Sequence, residues 1–237
     1  MTYTAEKAII LAAGTGSRMA PVTLETPKPL VKIKGVRIID TLIDALLEAG
    51  IEDITIVRGY KKEAFDALLE KYPGLKFIDN PDFEGTNTLS SAYAALDAIS
   101  DGCYICEAGL IVSNPEVIRK YHSSSDYLGS YVKETTEWSL QEAEGRAVNY
   151  RKGGFNCFQC YGISYWTPED CEQLREGIQA AWEDGNRNAQ FEAVPLIIDK
   201  ENYDVKIHEC QKGDVTRVDT IHELIALDPS YKHIKWS

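Results

Sequence analysis

A glycine-rich loop followed by two cations is the part of the sequence whose residue types best suit chemistry on phosphates. Gly14-Thr15-Gly16-Ser17-Arg18 directly follows an apolar run, and Lys28 stands between two prolines further along. Glycines let backbone N–H groups approach a phosphate chain closely. An arginine and a lysine on one loop can hold a triphosphate whose charge moves onto leaving pyrophosphate. The loop therefore predicts a site for a nucleoside triphosphate.

The spacing in this loop excludes two common phosphate-binding motifs and fits a third. A Rossmann G-x-G-x-x-G fingerprint fails because position 19 is Met19, and a Walker G-x-x-x-x-G-K-[ST] loop is absent. The segment 11–30, LAAGTGSRMAPVTLETPKPL, resembles the sugar-nucleotidyltransferase signature L-A-A-G-x-G-[ST]-R-[LM]-x-P-x-T…P-K-x-L. Within that superfamily the chain is most similar to bacterial CTP:phosphocholine cytidylyltransferases.

This resemblance assigns roles to the loop residues. It implies that Arg18 and Lys28 are catalytic, because they would contact the phosphates and stabilise charge in the transition state. It also implies a nucleotide-binding segment made of Leu11, Ala12, Ala13, Gly14, Thr15 and Gly16. The expected reaction moves CMP from CTP to a small phosphorylated amine and releases pyrophosphate.

A polar stretch at 80–91, NPDFEGTNTLSS, resembles the base-recognition pattern N-N-x-x-S-L of those enzymes. Asn87 and Ser90 match the pattern, whereas the first asparagine is replaced by Thr86. An asparagine can pair with the pyrimidine edge, and a serine can contact base or ribose. The same residue types are good N-caps for a helix predicted over 88–99, so recognition and capping both stay open.

A divalent ion would neutralise charge on the phosphates, and the resemblance implies Mg²⁺ held by two aspartates. Asp219, just before the last predicted helix, matches one of them, with helix capping as the alternative. The other aspartate of the family lies in a segment of the type (D/E)-A-D-L. Here Glu107 and Ala108 fit that segment, but Gly109 stands at the position of the metal-binding aspartate. Glu107 could ligate instead, Asp219 could hold the ion with phosphates and water, or the chain could be a catalytically weakened nucleotide-binding protein. An aspartate restored at position 109 is expected to raise Mg²⁺-dependent turnover.

Four residues are expected to bind the acceptor. Glu137-Trp138 resembles a Glu-Trp pair of the phosphocholine enzymes, and Phe191-Glu192 lies where those enzymes carry Trp-Asp. Tryptophan is the best cation–π partner for a quaternary ammonium, with about 2 kcal/mol for a desolvated contact. Phosphocholine is therefore the first acceptor expected, with 2-aminoethylphosphonate or a sugar phosphate as alternatives.

Alternating strands and helices must position these residues. Strands are predicted over 6–13, 53–60, 75–81 and 102–112, and helices over 36–49, 61–72 and 88–99. This alternation indicates an α/β fold with a Rossmann-like, mostly parallel sheet and helices on both faces. Strand-like pieces within 126–166 predict antiparallel hairpins over the substrate end. Helices near 168–184 and 189–200, a strand over 204–211 and a last helix within 217–228 complete the prediction: one domain, 1–237, with a lid-like insertion at about 126–200.

Composition limits the partners. The net charge of −12 over 237 residues argues against nucleic acid. No apolar run reaches the roughly 20 residues of a membrane span, and the N-terminus has no signal-peptide pattern, so we expect no membrane partner and a cytoplasmic location. Two C-x-x-C pairs could bind zinc, but they lie in strand-like segments, where buried reduced thiols are expected. The oligomeric state stays open.

Overall fold

A seven-stranded mixed sheet forms the centre of the computed structural model, which describes residues 1–233. Its strands are β1 (Lys7–Leu11), β2 (Asp53–Arg58), β3 (Lys76–Asp79), β4 (Cys103–Glu107), β5 (Asp126–Ala143), β6 (Arg146–Trp166) and β7 (Lys206–Glu209). The order across the sheet is β7-β5-β6-β4-β1-β2-β3. The strands β3, β2, β1 and β4 are parallel, and β6 is antiparallel to β4. The predicted mostly parallel α/β sheet is confirmed.

Helices and short ribbons complete the architecture. The main helices are α1 (Ile38–Glu48), α2 (Thr88–Ala94), α3 (Pro168–Glu183) and α4 (Ile221–Leu227), with a single α-helical turn at Val22–Glu25. Three antiparallel ribbons pair Tyr3–Thr4 with Tyr121–His122, Lys32–Ile33 with Val36–Arg37, and Leu110–Val112 with Val215–Arg217. Tight 3-10 turns lie at Ser17–Met19, Lys28–Leu30, Lys62–Leu68, Leu96–Ala98, Pro115–Val117, Lys200–Asn202 and Pro229–His233. Each helix of residues 1–233 is too short or too polar to span a lipid bilayer.

The central strand β1 is apolar at successive positions because both of its faces are covered. Ile10 belongs to the apolar cluster that contains Leu42 of α1, whereas Ile9 belongs to the cluster that contains Leu89 of α2 and Leu174 of α3. Full burial of each such side chain contributes about 2 kcal/mol. This two-sided burial explains why the run was readable as a parallel strand, and it fixes the edge from which the glycine-rich loop leaves.

Three predicted elements differ from the structure. The helix predicted over 61–72 is a 3-10 segment, Lys62–Leu68, entered through Lys61 at a φ of 47°. The helix predicted over 189–200 is only a π-helical turn, Val194–Ile198, whose second residue is a proline. The strand predicted over 102–112 breaks after Glu107, because the backbone at 108–109 bonds to two different segments: Ala108 donates to Leu11, and Gly109 accepts from Val218. The chain thereby turns from the main sheet into the 110–112 ribbon.

The cysteines follow the strand interpretation. Cys103, Cys106, Cys157 and Cys160 are buried free thiols, as are Cys171 and Cys210. Cys106 and Cys103 lie on opposite faces of β4, because each belongs to a different apolar cluster. The prediction of buried reduced thiols is confirmed.

Candidate functional site

The glycine-rich loop leaves the sheet at the carboxyl end of β1 and folds back against Lys28. Gly16 has a φ of 63°, a conformation that favours glycine. A Cβ on Gly16 would stand 2.8 Å from the Lys28 Cβ, so glycine is also needed for this close approach. Thr23 donates to the Gly16 carbonyl at 3.0 Å, and the fully buried Met19 anchors the next turn. The backbone of the glycine-rich loop and the side chain of Lys28 therefore face the same space.

A cavity of about 410 Å³ opens between this loop and the ends of β1 and β4. Both predicted catalytic cations, Arg18 and Lys28, line it. Of the predicted nucleotide-binding residues, it is lined by Leu11, Ala12, Gly14, Thr15, Gly16 and Asn87. Ala13 is buried instead, and its carbonyl accepts from Tyr60 at 3.0 Å. A hole of this size suits a nucleotide.

The polar stretch after β3 divides into a wall residue and a supporting residue. Asn87 is exposed at the cavity, and its side-chain oxygen accepts from the backbone N–H of Thr88 at the start of α2, so it caps the helix and also lines the cavity. Ser90 is buried: its hydroxyl accepts from Asn80 at 3.0 Å and from Thr86 at 2.8 Å, and it donates to the Asn87 carbonyl at 2.8 Å. The structure thus places Ser90 behind the wall that Thr86 and Asn87 form.

Asp219 gathers three cations at the floor of the cavity. Its carboxylate pairs with the Lys28 Nζ and lies 3.2 Å from an Arg18 Nη and 3.5 Å from the Arg217 Nε. Burial by itself would raise the pKa of Asp219, but Lys28 and Arg217 outweigh it and lower that pKa to about 2. The Arg18 side chain is 67% exposed, so its pair with Asp219 contributes less than about 1 kcal/mol and leaves the guanidinium available to a ligand.

Helix α4 fixes the position of Asp219. Thr220 is the N-cap residue and forms a capping box with Glu223, whose carboxylate accepts from the backbone N–H groups of Asp219 and Thr220, each at 2.8 Å. Val218, fully buried, donates to the Gly109 carbonyl at 3.1 Å. Because Thr220 performs the capping, the Asp219 side chain is left to face the cavity.

Arg217 joins the two acidic residues that the sequence offers as metal ligands. Its guanidinium pairs with Glu107 at the end of β4 and approaches Asp219 on the other side. Burial acts to lower the pKa of Arg217, but the carboxylates of Glu107 and Asp219 outweigh it and raise that pKa above its ordinary value. Arg217 is not among the residues predicted from the sequence, although it stands two residues before Asp219 at the end of a strand, where alternation puts both on one face.

The carboxylates fit a divalent ion only in part. Glu107 is bound by Arg217, Asp219 is bound by Lys28, and position 109 carries no side chain. No group of three or more acidic, histidine or cysteine side chains suited to a metal occurs in the part of the chain that the structure describes. Asp219 is the side chain that would hold an ion at the nucleotide, whereas the Glu107 carboxylate is held by a guanidinium.

A second cavity, of about 320 Å³, lies beside the first. Arg18, Arg217 and Asp219 line both cavities. The other charged side chains of the second cavity are Glu137 from β5, Lys212, and Glu223 of α4. It therefore offers both signs of charge next to the first cavity.

Of the four residues expected at the acceptor, only Glu137 lines this second cavity. Trp138 is half-buried and stacks on Tyr150, with ring centres 4.7 Å apart, and Tyr150 in turn donates to Gln190 at 3.0 Å. Phe191 and Glu192 are fully buried, so their expected contact with an acceptor is not made in this arrangement. Phe191 is closed off because it packs in the apolar cluster of α2 and α3.

Glu192 is a carboxyl group in an apolar environment. Tyr127 donates to one of its oxygens at 2.8 Å, and the other oxygen has no hydrogen-bond partner among the described residues. Burial, reinforced by the charge of Glu107, raises the pKa of Glu192 to about 8. The group is therefore largely protonated at neutral pH, which removes the cost of burying a charge.

Comparison with known proteins agrees with this geometry. Residues 8–136 match the MobA-like NTP transferase domain. The chain is 35% identical to a 2-aminoethylphosphonate cytidylyltransferase of Lancefieldella rimae, over 96% of this chain and 94% of that protein. It is 30% identical to a choline-phosphate cytidylyltransferase of Streptococcus pneumoniae, over 96% of this chain and 99% of that protein.

The fold agrees as well. The solved CTP:phosphocholine cytidylyltransferase of Streptococcus pneumoniae superimposes with a TM-score of 0.86 at 28% identity, covering 94% of this chain and 98% of that one. The first cavity, its cationic loop and these matches over nearly the whole chain lead to the same assignment. The chain belongs to the MobA-like NTP transferase family, among its cytidylyltransferases, and is a CTP-dependent nucleotidyltransferase.

Proposed function

We propose that this protein transfers CMP from CTP to a small phosphonate or phosphate ester that carries a primary amine, of the 2-aminoethylphosphonate type, and releases pyrophosphate. The observation that carries the proposal is the junction of two cavities at Arg18, Arg217 and Asp219. CTP in one cavity and the acceptor in the other would meet at this shared junction, which would bring an acceptor oxygen close to the α-phosphate.

The first cavity supplies the nucleotide half of the reaction. Backbone groups of the 12–16 loop and the charges of Arg18 and Lys28 are suited to hold the triphosphate, and Thr86 and Asn87 are suited to the base. An acceptor oxygen would attack the α-phosphorus as the bond to the β-phosphate oxygen breaks. No covalent protein intermediate is needed, so positioning and charge stabilisation carry the catalysis.

The second cavity suits a molecule with one negative and one positive end. Arg217 and Arg18 would bind the phosphonate, and Glu137 would bind the ammonium group. The opposite placement is disfavoured because the attacking phosphonate oxygen has to lie at the junction with the first cavity. A primary amine matches carboxylate recognition, since an ammonium donates hydrogen bonds that a quaternary amine lacks.

Phosphocholine is the second candidate acceptor, favoured by Trp138 and by the choline-phosphate relative. A quaternary ammonium needs an open aromatic face. One face of Trp138 is occupied by Tyr150, which leaves at most the other face for a cation. The lead expected from sequence therefore moves to second place, and the 35% identical 2-aminoethylphosphonate enzyme supports the new order.

A divalent ion is part of the proposed reaction, because nucleotidyltransferases of this family generally use one. Asp219, which lines the first cavity, would hold the ion together with phosphate oxygens, and the ion would neutralise charge on the phosphates. Lys28 and Arg18 add fixed positive charge on the same side of the cavity.

Pyrophosphate release tests the acceptor. The assay combines CTP and Mg²⁺ with 2-aminoethylphosphonate, phosphoethanolamine, phosphocholine or glucose 1-phosphate, and a parallel series replaces CTP by UTP. We expect the highest kcat/KM with CTP and a primary amine. A clear preference for phosphocholine would overturn the proposed order, and CTP binding without release from any acceptor would favour a catalytically weakened nucleotide-binding protein.

Two variants locate the amine. Glu137→Gln should raise KM for 2-aminoethylphosphonate by roughly tenfold, as expected for loss of one charge-assisted hydrogen bond. Trp138→Leu should affect phosphocholine more than the primary amine. If both variants affected both acceptors equally, the second cavity would not be the site that recognises the amine.

A further inference from the structure

The space beside Gly109 is occupied by a side chain from elsewhere in the chain. A Cβ built on Gly109 would overlap the Nζ and Cε atoms of Lys28. The same ammonium pairs with Asp219. Absence of a side chain at 109 is therefore what lets Lys28 reach Asp219 along this path.

A second cation, Arg217, pairs with the neighbouring carboxylate of Glu107. Arg217 also lies 3.5 Å from Asp219, so charges alternate in the order Lys28, Asp219, Arg217, Glu107. All four side chains are between 12% and 17% exposed. At this depth the attraction between opposite charges is only weakly screened by salt, and both carboxylates already have cationic partners.

We propose that the protein by itself holds no divalent ion at this junction: Lys28 and Arg217 neutralise the two carboxylates, and a divalent ion is bound only together with the nucleotide. A divalent ion prefers several anionic oxygens. Within residues 1–233, no cluster of three candidate ligands supplies them. The triphosphate of CTP would bring the missing oxygens. This inference rests on nucleotidyl transfer but not on the identity of the acceptor.

Displacement of Lys28 is the step that distinguishes this arrangement from a ready-made metal site. Lys28 and Asp219 both line the first cavity. Triphosphate oxygens bound there would therefore compete with Asp219 for the Lys28 ammonium. Once the ammonium turns to the phosphates, the Asp219 carboxylate is released toward the ion. Ion and nucleotide binding are then linked, and each should strengthen the other by the same factor.

Water-proton relaxation with Mn²⁺ tests the linkage without any turnover, because the relaxation rate rises when Mn²⁺ tumbles with a protein. We expect no enhancement with Mn²⁺ and protein alone, a small one with Mn²⁺ and a nonhydrolysable CTP analogue, and a large one with all three. Enhancement by the nucleotide-free protein that disappears in Asp219→Asn would overturn the proposal. The absence of acceptor from the assay keeps this outcome separate from the proposed function.

Variants of the lysine and the glycine show what blocks the ion. Lys28→Met should tighten Mn²⁺ binding to the nucleotide-free protein by roughly tenfold, because a unit charge beside Asp219 is removed. Gly109→Asp should do so more strongly, because its side chain both displaces Lys28 and adds a carboxylate. Lys200→Met is the matched control, since Lys200 pairs with Glu201 and lines neither cavity. Folded Lys28→Met and Gly109→Asp proteins that still bind no Mn²⁺ without nucleotide would contradict the inference.

Discussion

The Lys28 ammonium lies in the space that a Cβ on Gly109 would fill. Residue 109 is at the bend between β4 and the 110–112 ribbon, whereas Lys28 comes from the 3-10 turn Lys28–Leu30, which is distant in sequence. Their contact makes the glycine a condition for the pairing of Lys28 with Asp219. A substitution at 109 would therefore act on Lys28, a predicted catalytic cation, even though a glycine has no side chain to do chemistry.

The first prediction contrasts two substitutions at this glycine. Gly109→Ala adds only bulk in the space of the Lys28 ammonium, so it should misplace this cation relative to the phosphates and lower kcat/KM for CTP by at least about tenfold. Gly109→Asp adds the same bulk and a carboxylate, so its turnover should rise steeply with Mg²⁺. Pyrophosphate release across a Mg²⁺ titration measures both. Parallel Mg²⁺ curves for the two variants would show that position 109 acts through bulk alone.

The second prediction concerns the pair of Arg217 and Glu107. Arg217→Met leaves a mostly buried carboxylate without its partner and should reduce the free energy of unfolding by about 3 kcal/mol. Glu107→Gln in the same chain removes the stranded charge and should restore most of that loss. Chemical denaturation of the two single variants and the double variant gives the coupling energy. Additive losses would mean that the two side chains stabilise the fold independently.

The third prediction is a pH dependence that comes from Glu192. Its pKa is about 8 in the folded protein and near 4.5 in the unfolded chain. Between these values the folded state holds a proton that the unfolded state has released, so stability is greatest below the lower pKa and falls as pH rises through the upper one. Glu192→Gln keeps the shape and cannot ionise.

Thermal melts of both proteins from about pH 5 to about pH 9 measure this dependence. The melting temperature of the wild type should fall relative to that of Glu192→Gln as pH rises. A difference in melting temperature between the two proteins that stays constant over this pH range would mean that the pKa of Glu192 is the same in the folded and unfolded states.

The fourth prediction separates the two residues of the polar stretch after β3. Asn87→Ala removes a side chain from the cavity wall and should raise KM for CTP, with a loss of about 1 kcal/mol from the helix cap. Ser90→Ala removes a buried hydroxyl from the contacts with Asn80 and Thr86, so it should lower stability by about 2 kcal/mol. Kinetics and denaturation of both variants test this division. A larger rise in KM from Ser90→Ala than from Asn87→Ala would reverse the two roles.

Much of the fold could be predicted because its signals are local. The apolar run of β1 and the helical spacing of α1 are both written into short stretches of sequence, and the sheet follows from their alternation. The 3-10 segment after Lys61 and the π turn at 194–198 were predicted as α-helices. Their apolar spacing is helical, but a left-handed residue at one start and a proline in the other change the backbone geometry.

The cationic half of the site was predictable for the same reason, since Arg18 and Lys28 belong to one continuous motif. Arg217 was not, because its importance comes from two carboxylates that the chain brings to it from distant segments. The burial of Phe191 and Glu192 was equally hidden. A sequence shows an aromatic beside a carboxylate, but only the packing against α2 and α3 decides whether they face a cavity or the core.

The long hairpin of β5 and β6 has a consequence for how specificity can change. Both strands begin or end inside the central sheet, and the same two strands carry Glu137, Gln159 and Tyr161 to the second cavity. Residues 126–166 are therefore one contiguous cassette with fixed ends. An exchange of this segment between relatives would replace these three lining residues in a single recombination event, while the glycine-rich loop and the rest of the second cavity stay untouched.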